Sequence, residues 1–166
     1  VLKNNIRGLN QVLRNLNNEV KKIKGRTLKG LIRGGLIVLR DVELTTPLTP
    51  VELGNLRASR FLVTSNRGVS MGRNPTFRNS KKNKKAAQSM GRNHHDVLSE
   101  TKALAKATGQ PTVILGFSAK YAAPVHEKRN VKKWSRPGSG RKFFEMALDR
   151  NVKNILKVIR KEAKIK

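Results

Sequence analysis

Thirty-seven Lys and Arg against ten Asp and Glu give this chain a formal charge of +27 over 166 residues, and that imbalance limits what it can fold into. Like charges repel across a compact surface, so a solitary globule with this excess is opposed by its own field. A chain of this kind belongs against something acidic or inside an assembly. The charge is also unevenly spread. No acidic residue lies between Glu52 and Asp96, whereas Arg57, Arg60, Arg67, Arg73, Arg78, Lys81, Lys82, Lys84, Lys85 and Arg92 all fall there.

The length suits a single domain, and 37% apolar with 4% aromatic residues allows only a modest core. Cysteine is absent, which removes disulfides and thiolate metal sites and leaves the redox compartment undetermined. No apolar run approaches the roughly 20 residues of a membrane span. Lys3, Asn4 and Asn5 interrupt the opening residues, so a signal peptide is not expected. The expectation is a soluble chain used without export.

Leu2, Ile6, Leu9, Leu13, Leu16, Val20 and Ile23 alternate at spacings of four and three, a heptad stripe that predicts a helix over 2–23. Gly25 is read as a break, and a second helix is predicted over 27–45 with Thr27 as its cap. Gly30, Gly34 and Gly35 cost this second helix propensity. Their expected return is a face that another backbone approaches closely, because no strand precedes them as a phosphate-binding loop would require. Pro47 and Pro50 end the helix. Leu53-Gly54-Asn55 reads as a turn, Arg57 to Thr64 as a strand, and Thr112 to Phe117 as a second strand pairing antiparallel with it.

Between the strands lies an excursion over 65–110, too long for an ordinary hairpin loop. Its first part, 65–94, is so poor in large apolar groups that it is expected to stay mobile until bound. Its second part, 95–107, reads as a short amphipathic helix. A basic loop over 128–140 carries Trp134, and a last helix runs from about Arg141 to Lys164. The expected architecture is α+β in one domain: two N-terminal helices, a small antiparallel sheet, and a C-terminal helix covering one sheet face.

Catalysis needs converging acids, bases or nucleophiles, and no spacing here forms a recognised cluster. Glu145 and Asp149 are four apart on one helix, where ion pairs with Arg141, Lys142 or Lys153 are expected over a metal. His94, His95 and His126 lack the pattern of a zinc site, and His94 and His95 read as surface loop. No catalytic, cofactor or metal residues emerge, and a non-enzyme is expected. The run Lys81-Lys82-Asn83-Lys84-Lys85 is open to three readings: a solvated loop, a grip on nucleic-acid phosphate, or contact with an acidic protein surface.

Three blocks carry a resemblance. Thr49-Pro50-Val51-Glu52-Leu53-Gly54-Asn55-Leu56-Arg57-Ala58-Ser59 resembles the A-P-x-D-T-G-N-L-R-x-S signature of the head–tail joining, or tail-completion, family of long-tailed DNA phages. Gly116 to Glu127 is similar to that family's Y-A-x-x-V-E segment after a strand, and Arg141 to Leu148 to its P-F-L-x-P-A-L opening of the terminal helix. The order of the blocks is the family's. The resemblance implies a structural virion protein, assembled in the host cytoplasm. It would form a ring of about six copies between the head-side connector and the tail tube, with a channel for genomic DNA and no membrane contact. Alternatives are the tail-terminator ring of the same neck and a nucleic-acid-binding protein using the basic loop. The expected subunit and partner interface comprises Asn55, Arg57, Glu127, Arg73, Arg78, Lys81, Lys82, Lys84, Lys85 and Trp134. Within it, Glu127 is the expected partner of Arg57, inside the chain or across the ring.

Overall fold

The computed structural model describes residues 9–66, 70–72, 74–81, 83–129, 131 and 133–164, with the side chains of Leu9, Asn10 and Ser70 excepted. Helix α1 spans Leu9–Leu44, 36 residues without interruption, or about 54 Å at 1.5 Å per residue. The two expected N-terminal helices are therefore one. A Cβ at Gly25 would meet nothing within 4 Å, and a lone exposed glycine costs only about 1 kcal/mol, too little to break a helix that continues on both sides. Thr27 consequently lies inside the helix rather than capping one. Leu2 and Ile6 of the heptad stripe lie outside the described residues.

The segment read as a strand from Arg57 instead opens with a helical turn, α2 (Asn55–Ala58). Gly54 before it is left-handed at φ 82°, a conformation glycine adopts without penalty. The Ser59 hydroxyl donates to Leu56 O at 2.8 Å and closes the turn. Strand β1 then runs Arg60–Thr64. A short β2 (Ser70–Met71), not expected from the sequence, pairs antiparallel with β1.

Helix α3 covers Ala86–Ala107, starting well before the expected 95. The Ala86-Ala87-Gln88 stretch has high helix propensity. Asn79 Oδ1 accepts the Ala87 N–H at 2.9 Å, satisfying one donor of the first turn. Strand β3 (Val113–Phe117) pairs antiparallel with β1 in the register Leu62↔Leu115, giving the order β2-β1-β3. Helix α4 (Ala122–Glu127) and helix α5 (Phe143–Ala163) complete the α+β fold.

The α1 glycines fulfil the close approach expected of them. A Cβ at Gly30 would stand 2.9 Å from Ile159 Cα, and one at Gly34 2.9 Å from Ile155 Cγ2, so α5 lies directly on this face. A Cβ at Gly35 would stand 2.8 Å from Leu115 Cδ2 and 2.9 Å from Leu62 Cδ1, so the sheet also reaches α1 here. The core gathers Val38, Val42, Leu56, Ala119, Phe143 and Ala147. Phe117 meets Phe143 edge-on at 5.6 Å and ties α5 to the end of β3. Among the described residues no helix is long and apolar enough to cross a membrane.

These environments give opposite outcomes for one substitution. Gly25→Ala gains helix propensity in open space and is expected to stabilise by about 0.5–1 kcal/mol. Gly30→Ala gains the same propensity, but its methyl meets the α5 backbone, so a net loss of about 1–2 kcal/mol is expected. Urea unfolding of the two variants checks the difference in sign.

Candidate functional site

The C-terminal end of α1 is the organising point of the site. Its last turn carries no basic residue, so the carbonyls there look elsewhere for cationic partners. Arg136, from the loop before α5, supplies one. Its Nη2 donates to Glu43 O at 2.9 Å, and its Nη1 donates to Thr49 O at 3.3 Å. The Glu43 side chain, only 10% exposed, receives three guanidinium groups. Arg57 Nε stands 2.6 Å from Oε2 and Arg136 Nη1 3.3 Å from the same oxygen. Arg60 Nη1 is 3.2 Å from Oε1, near enough for Coulomb attraction but not aligned to donate to it. One carboxylate thus gathers three cations, and Arg57 and Arg60, with side chains 45% and 40% exposed, keep an outward side. That side lines a recess of about 390 Å³ with Met71, Asn74 and Thr76.

The pairing expected from the sequence inside the chain is therefore corrected: Arg57 is held by Glu43, not by Glu127. Glu127 closes α4 and belongs to a separate cluster at the head of α5. Lys142, left-handed at φ 56°, sends its Nζ to Glu127 Oε2 at 2.9 Å and to Glu145 Oε2 at 2.7 Å. His126 Nδ1 lies 2.7 Å from Glu127 Oε1. The hydrogen bond from Lys142, then that from His126, holds the Glu127 carboxyl below its usual range. Glu145 and then Glu127 raise the Lys142 ammonium above its own. Ligand atoms of His126, Glu127 and Glu145 lie within 4.8 Å of one another, a spacing that suits a metal ion. The Lys142 ammonium bridges the two carboxylates and supplies the positive charge they need, so the cluster serves as an ion-pair knot joining α4 to α5.

Asn55 does more than bond its local backbone. Nearly buried in α2, it donates from Nδ2 to Arg78 O at 2.9 Å and accepts the Arg78 N–H on Oδ1 at 2.7 Å. This two-pronged clamp fixes the excursion 23 residues downstream. The segment expected to stay mobile is, in its described part, tied to the domain. His94, read as surface loop, is 1% exposed. Its Nδ1 meets Ser118 Oγ at 2.6 Å, and its Nε2 bonds Gly72 O. Asn93 Nδ2 donates to Ser118 O at 2.6 Å. Arg78, Lys81, Lys84 and Lys85 are left on the exposed side of the anchored loop. Arg73 and Lys82 lie outside the described residues.

Trp134 joins Asn55 in the wall of a groove of about 470 Å³, with Leu53, Met90, Tyr121 and Val125. Burial, and the nearby Glu52 carboxylate after it, raises the Tyr121 hydroxyl above its usual pKa. Two helical faces complete the surface. On α1, Val12, Leu13, Leu16 and Val20 are 42–62% exposed; on α5, Leu148, Val152 and Leu156 are 42–47% exposed.

The expected interface residues that are described thus fall into four places, one of them the exposed side of the anchored loop with Arg78, Lys81, Lys84 and Lys85. Asn55 and Trp134 share the groove, Arg57 joins the Glu43 hub, and Glu127 stands apart at the α4–α5 knot. Glu43, Arg60, Arg136 and His94 were not singled out. Glu43 had one signal: with Asp41 it is an acid at a helix end, close before an acid-free basic run. His94 had none that separates it from His95. Comparison with known protein families, curated proteins and solved structures finds no match to this chain.

Proposed function

We propose that this chain is a structural neck protein of a long-tailed phage, forming a ring that joins the tail to the DNA-filled head and leaves a channel for DNA. The observation that carries this reading is the subunit's surface: two bare helical apolar faces on a chain with a charge excess of 27. Apolar area of this kind marks an interaction site, and the charge excess suits a subunit enclosed by neighbours. The three resemblance blocks, in the family's order, support the same reading. So do the anchored loop and the Glu43 hub, which present basic side chains from a fixed scaffold rather than grouping them around a reacting centre.

A second reading has its own support. Lys81, Lys84 and Lys85 are exposed and have no ion-pair partner among the described residues, as a phosphate-gripping loop requires. Electron microscopy and native mass measurement of the purified protein separate the two. Uniform toroids, about six copies by the resemblance, are expected. A monomer at every concentration that binds duplex DNA tightly, with a steep loss as salt rises, would replace the ring with the nucleic-acid reading.

A further inference from the structure

The face of α1 that bears Gly30 and Gly34 is covered by α5, but α5 ends at Ala163, opposite this stretch of α1: Arg33 and Lys29 both pair with Glu162 one residue before that end. Residues 9–26 of α1 continue past it. On a helix of 3.6 residues per turn, Val12, Leu13, Leu16 and Val20 lie on the same side as Gly30 and Gly34. The bare stripe is thus the continuation of a helix-packing face beyond the point where its intrachain partner stops. A second bare stripe, Leu148–Val152–Leu156, runs at four-residue spacing along the flank of α5 turned away from the core.

We propose that these two stripes are the two halves of one contact between copies of this chain: the α1 arm of one subunit lies on the outer flank of α5 in the next. The proposal rests on the ring reading above and names its interface. Charge favours this pairing over two arms meeting each other. The described arm carries Arg14, Lys21, Lys22, Lys24 and Arg26 against Glu19 alone, so arm on arm would bring like charges together. The α5 stripe is flanked by Glu145 and Asp149 with Lys153 and Arg160 beyond them, an even balance of charge that does not repel the arm as a second arm would, and Asp149 has no ion-pair partner among the described residues. The two surfaces differ, so the contact is heterologous, and repeating it gives a ring when the rotation closes.

Area sets how the contact behaves. Together the stripes present on the order of 600 Å² of apolar surface, below the ~1,200 Å² of a stable two-body interface. One such contact does not hold a dimer. In a closed ring each subunit makes the contact twice, and the last one forms within the assembly at high effective concentration. Closed rings, with no persistent dimer, are the expected species.

The chain contains no cysteine, so introduced thiols report unambiguously. Leu16→Cys and Val152→Cys chains are prepared separately, mixed and oxidised, each alone serving as a control. A covalent dimer only in the mixture, and a ladder ending at the ring's copy number in the doubly substituted chain, is expected. Met146→Cys, about 120° round α5 from residue 152, should cross-link to the Leu16→Cys chain at least tenfold less. A bond in Leu16→Cys alone would mean that arms pair with arms, and one in Val152→Cys alone that α5 flanks pair; either overturns the proposal. Toroids by electron microscopy without any cross-link would overturn this interface and leave the ring standing. The absence of both would remove the ring as well.

Discussion

Glu43→Ala is expected to lower stability by about 3 kcal/mol, seen in denaturant unfolding as a lower midpoint with an unchanged slope. Removing one partner of a buried ion pair costs about 3–5 kcal/mol because the remaining charge is stranded. Here the lower end applies. The side chains of Arg57 and Arg60 are 45% and 40% exposed and can recover hydration. Arg136 sets the floor: its side chain is 25% exposed, and it would remain pinned to the Glu43 and Thr49 carbonyls beside two other guanidinium groups. Glu43→Gln keeps an acceptor and removes the charge, so it should cost about half as much. Arg60→Ala should cost under ~1 kcal/mol, since that guanidinium is not aligned on the carboxylate. Added salt should recover part of the Glu43→Ala loss by screening the three cations from one another. A Glu43→Ala loss below 1 kcal/mol would mean that backbone contacts, not the carboxylate, hold this corner together.

Periodic features were legible in the sequence, and features made by tertiary neighbours were not. The α1 stripe, the β1–β3 pair and α5 repeat at helical or strand spacing, and that pattern survives in one dimension. Gly25 misled because glycine is a weak breaker when helix continues on both sides, and sequence does not show that its surroundings are open. Asn79 and Asn83 each contribute an acceptor to the opening turn of α3, and such help from preceding loop residues leaves no periodic trace. Of the site, Asn55 and Trp134 are readable as candidate interface residues, but the groove they share is made by the fold. Arg57 reads from the sequence as an ion-pair former, but its acid inside the chain is Glu43 and not Glu127. Its partner, Glu43, precedes it by 14 residues on an element that the sequence places beyond two prolines. Only the fold, turning back at Thr49 with its hydroxyl and N–H on Val42 O, brings the two together.

His94→Ala is expected to cost about 3–4 kcal/mol and to release the basic loop. The imidazole is fully enclosed and uses both nitrogens. Gly72 O can only accept, so Nε2 carries the proton, and in the neutral ring Nδ1 accepts from the Ser118 hydroxyl. Three segments distant in sequence are thus joined through one side chain: the turn after β2, the middle of α3, and the exit of β3. The Phe77 ring also packs against it, 5.8 Å between centroids and tilted 67°. Alanine would leave a cavity and strand the buried Ser118 hydroxyl at roughly 1–3 kcal/mol, while the carbonyl of the exposed Gly72 can turn to water at a smaller cost. The Gly72 turn, at φ 78°, already sits against the β1 backbone, where a Cβ would strike Arg60 O, so it has no room to close inward on the cavity. His94→Phe keeps the volume and loses both hydrogen bonds, so it should recover only the packing part and remain about 2 kcal/mol below the parent. Limited trypsin digestion reads the local consequence. The lysines at 81, 84 and 85 should be cut at least tenfold faster in His94→Ala while cleavage within α5 follows global stability alone. Equal stability of His94→Phe and the parent would show that the ring acts by bulk and that the hydrogen-bonded junction is not what fastens the loop.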